Sequence, residues 1–567
     1  MELPENLTLN KPWIQSYLPG TPAEIDLDDG ATLVSIFEAS AARFADRPAF
    51  TCMDHGLSYG ELDRMSAEFA AWLSKDLGLA RGARVAIMLP NLLQYPVALF
   101  GVLRAGMTVV NVNPLYTARE LKHQLVDSGA EAIIILESFA ATLEKVIAET
   151  PVKHVAVTGI GDLLPFPKRH IVNFVVRRVK KMVPAYSLPG HLRLEAALAR
   201  GRSKGFSPVE VSQEDLAFLQ YTGGTTGVSK GAMLTHRNMV ANLRQMHAWI
   251  GVLVEEGQEV VITALPLYHV FSLVCNCLLF MSVGGLNVLI TNPRDIKAFV
   301  KELSQWPFTI ITGVNTLYNA LLQDDGFQKL DFSHLKWAGA GGMALQAAVA
   351  QRWHEVTGKY VQEGYGLTET SPVVSMQPTT VEAVFTGTIG LPLPSTEVMI
   401  RDDDGHELPV GEPGELCVRG PQVMKGYWQR PEATEQVMYP DGFLRTGDIA
   451  TMDEQGFFRI VDRKKDMILV SGFNVFPNEV ENIVTLHPDV VEAACIGVPD
   501  AKSTEAVKVF VVAREGADLD AAKVVAWCRE SLTGYKVPKH VEFRKELPKT
   551  NVGKILRREL RDEVKSG

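Results

Sequence analysis

The 567-residue chain is poor in cysteine, carries no excess of basic charge, and has no uninterrupted apolar run long enough for a membrane span. Each shortage excludes a class. Its six cysteines are Cys52, Cys275, Cys277, Cys417, Cys495 and Cys528, and only Cys275 and Cys277 are close together. That spacing, with no partner pair, is not a zinc pattern. Reduced, buried thiols of a cytosolic protein are expected instead. A formal net charge of −10 argues against a nucleic-acid binder, which shows a basic footprint. Met1-Glu-Leu-Pro-Glu-Asn6 lacks the basic and apolar regions of a secretory signal, so none is expected. Phe271 to Ile290 is uncharged and as long as a span, but Gly284-Gly285 and Asn287 interrupt it. A buried helix followed by a strand is expected there. No internal repeat and no low-complexity segment is present.

What remains is an ordinary globular composition, 46% hydrophobic and 22% charged, over a length that implies several domains. Its most informative stretch is Tyr221-Thr-Gly-Gly-Thr-Thr-Gly-Val-Ser-Lys-Gly231. Glycines let a backbone approach a ligand closely, and successive N–H groups then form a nest for an anion. The hydroxyls add neutral donors and Lys230 adds a positive charge. The stretch is not a Walker A loop, because Ser229 precedes Lys230 and Gly231 follows it. It is not a Rossmann fingerprint either. Asp215 to Tyr221 reads as a strand entering the loop and Leu234 to Ile250 as a helix leaving it. Such a strand–loop–helix unit is a place where anions bind.

Alternation extends through the first two-thirds of the chain. Val85–Leu89, Thr108–Val112, Ala132–Ile135, Val155–Thr158, Val260–Thr263, Phe308–Thr312 and Leu335–Ala338 read as strands, with helices such as Leu92–Arg104 between them. Apolar strands separated by helices predict an α/β fold of parallel-type sheets covered on both faces. From about Gly387, the short strands Glu397–Arg401 and Glu415–Arg419 around Asp402-Asp-Asp-Gly405 predict a small β-barrel-like unit. Beyond Asp462-Arg-Lys-Lys-Asp466, a small α+β domain of about a hundred residues is expected. The predicted domains are 1–462 and 463–567.

Further segments carry suitable chemistry. In Gly364-Tyr-Gly-Leu-Thr-Glu369, Tyr365 can stack on a base, Thr368 can bond a phosphate, and Glu369 is a hard ligand suited to Mg²⁺. Ala340-Gly-Gly-Met343 permits close approach to a planar ring. Asp448, in Asp441-Gly-Phe-Leu-Arg-Thr-Gly-Asp448, is an acceptor suited to ribose hydroxyls. Lys549-Thr-Asn-Val-Gly-Lys554 places a lysine beside a glycine near the C-terminus.

These segments, in this order, resemble the acyl-adenylate-forming superfamily over nearly the entire chain. The loop resembles its phosphate loop, with Gly223 where Ser is frequent, and Phe443 stands where the superfamily usually has Trp. Asn91–Phe100, Asn113–Tyr116, Thr312–Tyr318 and Leu532–Pro538 resemble the branch of bacterial long-chain fatty-acyl-CoA synthetases. The resemblance implies ATP-dependent ligation of a long-chain fatty acid to coenzyme A through acyl-AMP, with Mg²⁺. It implies catalytic roles for Lys554, Thr368 and Glu369, with Glu369 as metal ligand. It implies nucleotide binding by Tyr221, Thr222, Gly223, Gly224, Thr225, Thr226, Gly227, Lys230, Gly341, Gly342, Tyr365, Gly366, Thr368, Asp448 and Arg463. His269, Val270, Phe271, Gly313 and Val314 would line the substrate pocket. Lys465 would be the hinge of a mobile C-terminal domain and Gly472 would border the coenzyme A channel. Related enzymes are often homodimers, so a homodimer is a further expectation. Two alternatives keep the fold: a medium-chain or aryl-CoA ligase, and an acyl-AMP ligase that serves a carrier protein. The basic cluster Lys536, Lys539, Arg544 and Lys545 suits either coenzyme A phosphates or a solvated face. Finally, Ile171 to Val183 has helical spacing. It predicts an apolar face of Val172, Val175, Val176, Val179, Met182 and Val183 opposite Asn173, Arg177, Lys180 and Lys181. Such a helix suits either peripheral contact with the cytoplasmic face of the inner membrane or packing on its own protein.

Overall fold

The computed structural model describes residues 11–222, 229–379, 384–471, 473–500, 503–550 and 553–566. Gly223, Gly224, Thr225, Thr226, Gly227 and Gly472 lie outside the described residues.

Two large sheets dominate. The first has seven strands in the order Leu192–Arg193, His154–Thr158, Ala132–Leu136, Arg84–Met88, Thr108–Asn111, Leu216–Thr222, Lys230–Thr235. All its pairings are parallel except the last. The second has nine strands, with six parallel ones from Val361–Gly366 across to Pro48–Cys52 and antiparallel strands at both edges. The alternation of apolar strands and helices therefore builds what the sequence predicts. Every residue of Ala132–Leu136 is buried, as a strand covered on both faces requires. The period of two then sorts the side chains. Val85 and Ile87 join a cluster that also contains Phe50, Val261 and Ile310 of the other sheet, whereas Ala86 and Met88 pack on the opposite face. Helices Leu33–Arg43, Tyr59–Ala71, Gln94–Arg104 and His236–Ile250 fill the space between the sheets. Thr32, Ser58, Thr117 and Thr235 start their helices with reciprocal capping boxes.

Phe271–Ile290 is helical up to Ser282 and then forms the buried strand Leu286–Leu289. Among the described residues no helix is long and apolar enough to cross a membrane. All six cysteines are free and buried.

Beyond the two sheets lies a four-stranded antiparallel sheet, Glu397–Arg401, Gly414–Arg419, Leu444–Met452 and Phe458–Arg463. This is the predicted barrel-like unit, but its strand order runs from edge to edge without closing. A five-stranded sheet with helices Pro477–Thr485, Ala521–Ser531 and Arg557–Ser566 completes the chain.

Two expectations are corrected. The glycine-rich stretch does not lead from a strand into a helix. Lys230–Thr235 is itself a strand, paired antiparallel with Leu216–Thr222 so that Thr222 faces Lys230. The strands on either side of the stretch are thus the two arms of a hairpin, and the following helix begins only at His236. Its N-terminus is capped by its own Thr235. The second correction concerns Ile171–Val183. Asn173 and Arg177 bond Asp162 and Glu137 and Val179 and Met182 are exposed, against expectation, whereas Val176 is buried and Lys180 and Lys181 are exposed, as expected. The buried acids hold Asn173 and Arg177, so the face turned to the protein is mixed and includes Val176.

Candidate functional site

A cavity of about 1160 Å³ opens where the carboxyl ends of the strands in both large sheets meet the last hundred residues. That is where open parallel sheets bind ligands. Tyr221, Thr222, Lys230, His269, Val270, Phe271, Gly341, Gly342, Tyr365, Gly366, Thr368, Glu369, Asp448, Arg463, Lys465 and Lys554 all line it. Gly313 and Val314 do not; Gly313 packs against the Tyr318 ring, and Val314 is buried near Gly553.

The glycines of the site have steric reasons. A Cβ on Gly366 would lie 1.9 Å from the Pro372 carbonyl oxygen. Gly342 takes φ +78, a left-handed conformation that side chains resist. The turn around it is anchored from below, because the Leu345 N–H donates to Glu363 Oε1 at 2.9 Å. Glu363 is buried, and its other oxygen, Oε2, has no partner among the described residues. Burial lifts its carboxyl to about 7 against the single stabilising N–H of Leu345.

Two tyrosines hold the acids of the site. The Tyr365 hydroxyl donates to Asp448 Oδ2 at 2.7 Å, and Arg463 Nε lies 3.1 Å from Asp448 Oδ1. The Tyr427 hydroxyl donates to Glu369 Oε1 at 2.6 Å. Tyr427 arrives on a segment that runs along the hairpin: Met233 N bonds Gly426 O at 2.9 Å and Trp428 N bonds Gly231 O at 2.8 Å. The same segment takes hold of the Glu369 main chain, Met424 N to Glu369 O at 2.7 Å. Lys230 Nζ stands 4.7 Å from the centre of the Tyr427 ring. One tyrosine therefore orients the acid and seats the loop cation. Nothing in the sequence around Tyr427 signals this; only the pairing of Gly426-Tyr427-Trp428 with the hairpin brings it in. Among the described residues the second oxygen of Glu369 makes no hydrogen bond or ion pair, so a hard cation has a free carboxylate oxygen there.

Lys554 comes from the far end of the chain. Thr316 Oγ1 donates to Gly553 O at 3.1 Å, and Thr550 Oγ1 accepts from Lys554 N at 3.0 Å. Solvent still reaches Lys554, but protein fills most of the surrounding volume. Burial pulls its ammonium down to about 8, with Arg463 adding and Asp448 opposing. Lys465 is likewise pulled to about 8 by burial and by Arg463. His269 is pushed to about 4 by burial and by Lys554, so it is a neutral imidazole at pH 7. Behind the lysine, Arg557 bonds Glu481 at 2.9 and 2.7 Å and lies 3.3 Å from Asp462. Burial lifts Asp462 to about 6 despite Arg557.

The basic cluster is mostly engaged. Lys536 pairs with Glu479 at 2.7 Å, Lys539 pairs with Asp500, and Arg544 lies 2.9 Å from Glu563.

Comparison with known proteins matches this geometry. The profile of the family described as AMP-binding enzyme matches residues 37–428, and that of the AMP-binding enzyme C-terminal domain matches 479–554. A long-chain-fatty-acid–CoA ligase of Escherichia coli O6:H1 is 59% identical over 557 residues, covering 98% of this chain and 99% of that protein. Among solved structures, ATP-bound MatB from Rhodopseudomonas palustris superposes with a TM-score of 0.82 at 30% identity, covering 94% of this chain and 99% of that one. The anthranilate CoA ligase AuaEII in complex with anthranoyl-AMP gives a TM-score of 0.85 at 25% identity, covering 95% and 98%.

Proposed function

Because the chain belongs to the AMP-binding enzyme family, we propose that it joins long-chain fatty acids to coenzyme A in two steps through acyl-AMP. The fatty carboxylate attacks the α-phosphorus of ATP and pyrophosphate leaves. The thiol of coenzyme A then attacks the acyl-AMP and AMP leaves. Lys554 faces the same cavity as Glu369, Asp448 and His269, and that juxtaposition carries the reading.

The first step needs no general base, because a fatty acid is ionised at neutral pH. Its obstacle is the repulsion between a carboxylate and a polyanion. Mg²⁺ held at Glu369 supplies charge neutralisation on the phosphates. Lys230 and the hydroxyl-rich turn hold the phosphates, Tyr365 and the turn at Gly341-Gly342 flank the adenine, and Asp448 takes the ribose hydroxyls. Lys554 bridges carboxylate and α-phosphate, and neutral His269 adds no charge beside them. Catalysis by such a site is positioning and electrostatics. Val270 and Phe271 border the start of the acyl tunnel, with Gly313 and Val314 shaping its wall from behind. Between the steps, the segment 463–567 swings about Lys465 as a unit distinct from 1–462, withdrawing Lys554 and opening a channel beside Gly472. Thr316–Gly553 and the 3.3 Å bond from Asn319 to Val491 O are among the contacts across which this swing acts. The same reading includes a cytoplasmic location, peripheral contact with the inner membrane and a homodimer.

AMP release tests the proposal. With ATP, Mg²⁺ and a ladder of fatty acids, release should depend on coenzyme A and peak at long chains. Lys554→Ala should lower it by ~10²–10³, the usual cost of one preorganised donor. A peak at short or aromatic acids, or indifference to coenzyme A, refutes it.

A further inference from the structure

The helix Lys168–Phe174 and its continuation through Val179 lie on the surface with Asn173 and Arg177 bonded to buried acids. Asn173 Nδ2 donates to Asp162 Oδ1 at 2.8 Å and Asn173 Oδ1 accepts from Gly161 N at 2.9 Å. The Arg177 guanidinium grips both oxygens of Glu137 at 2.8 and 2.7 Å. Both carboxylates are buried, with 3% of each side chain exposed, so charge-assisted hydrogen bonds help fix the helix. Val176 is buried, but five larger or later apolar side chains are left outside. Phe166 is 81% exposed, Ile171 58%, Phe174 61%, Val179 64% and Met182 51%. Ile171 and Phe174 stand one turn apart on the helix, Phe166 lies in the turn before it, and Met182 lies just beyond its end. Five large apolar groups within seventeen residues form a contiguous stretch of a kind that marks an interaction surface.

Charge selects the occupant. Residues 166–183 contain six basic residues and no acidic one, in a chain whose net charge is −10. Arg178, Lys180 and Lys181 are exposed and make no ion pair among the described residues. Two copies of this face would repel each other, whereas an anionic surface would attract it. Exposed aromatic and aliphatic groups ringed by free cations suit the boundary between headgroups and acyl chains.

We propose that this outward face, centred on Phe166, Ile171, Phe174 and Met182 and flanked by Arg178, Lys180 and Lys181, docks the protein on an anionic phospholipid bilayer. The inference deepens the membrane contact in the proposed function and rests on that reading. Of the valine stripe of the sequence, Val179 and Met182 are exposed beside this face, whereas Val176 is buried. Lipid insertion belongs to the residues that Glu137 and Asp162 push outward.

Co-sedimentation of the full-length protein with vesicles tests it, comparing phosphatidylglycerol/phosphatidylcholine with phosphatidylcholine alone at low and at about 0.3 M salt. Wild type should bind the anionic vesicles, and salt should weaken the binding. Each cation near such a surface is worth about a fivefold change in binding. Arg178→Glu/Lys180→Glu/Lys181→Glu should therefore lose roughly a hundredfold or more. Phe166→Ser/Phe174→Ser, both at exposed positions, should lose about tenfold or more. Pyrophosphate release from detergent-dispersed fatty acid should be unchanged in both variants. Failure of that release in wild type would count against the ligase reading and leave the docking result standing. No binding of wild type, or equal binding of wild type and variants, overturns the docking face. So does a change in oligomeric state by light scattering with vesicle binding intact, which would assign the face to a second copy.

Discussion

Lys554 should give the first half-reaction an alkaline limb. Its ammonium is pulled from 10.5 to about 8 by burial, with Arg463 alongside and Asp448 opposing. At pH 7 roughly nine-tenths of the free enzyme then carries the charge, and at pH 9 roughly one-tenth. The ratio kcat/KM for ATP reports the free enzyme, so it should halve near pH 8 and fall about tenfold per pH unit beyond. The break in kcat should lie higher, because a bound triphosphate favours the charged ammonium. Coenzyme A must be left out, since its thiol ionises near the range typical of thiols, about 8.5, and the rising second step would mask the fall. Pyrophosphate release with ATP and a fatty acid, followed from about pH 6.5 to about 9.5, is the assay. Lys554→Arg keeps its charge across that range, so its rate should be lower but its profile flat. Lys465 is also held at about 8, so Lys465→Arg is the necessary comparison and should keep the limb. A flat wild-type profile, or a limb that survives Lys554→Arg, would refute the assignment.

Tyr427→Phe keeps the ring under Lys230 but removes the bond to Glu369. A hydrogen bond to a charged group is worth about 1.5–3 kcal/mol. Half-maximal Mg²⁺ should rise about 10–100-fold, read both by pyrophosphate release and by calorimetry of nucleotide binding; an unchanged Mg²⁺ requirement would leave Tyr427 a merely structural role. Glu363→Gln should raise the melting temperature at pH 8 and leave it nearly unchanged at pH 4.5. The wild-type carboxyl is raised from 4.5 to about 7 by burial, so its ionised form is disfavoured in the fold. Its stabilising effect is complete below pH 4.5 and is lost as pH rises to 7, a span on the order of 3 kcal/mol. Arg557→Met strands Asp462, which is fully buried, and Glu481. Removing one partner of a buried pair typically costs about 3–5 kcal/mol, so urea should unfold the last hundred residues earlier than in wild type.

Much of the fold was legible because parallel strands covered on both faces must be apolar throughout, as Ala132–Leu136 is. Strand ends drifted by one or two residues, but the order of strands and helices held. Residues flanking the glycine-rich turn, and Lys554 near the other end, were legible as chemistry before any geometry. Tyr427 was not, because its partner Glu369 lies 58 residues away and neither neighbourhood carries a pattern that refers to the other. The hairpin was misread for a related reason. Lys230–Thr235 has too few residues to tell a strand from the start of a helix, and only pairing with Leu216–Thr222 decides it.

The sequence by itself determined the chemistry of this protein: which groups can hold a nucleotide, which cation can meet a carboxylate, and which segments are apolar enough to be core. Tertiary structure decided where those groups face. It drew Asn173 and Arg177 of the helix at Lys168–Val179 to Asp162 and Glu137, because those acids are buried and a buried carboxylate must find a donor. A valine stripe has no comparable demand, since exposed apolar area costs far less than an unpaired buried charge. Periodicity reports what a helix can bury, and the partners brought in from elsewhere in the chain decide what it does bury.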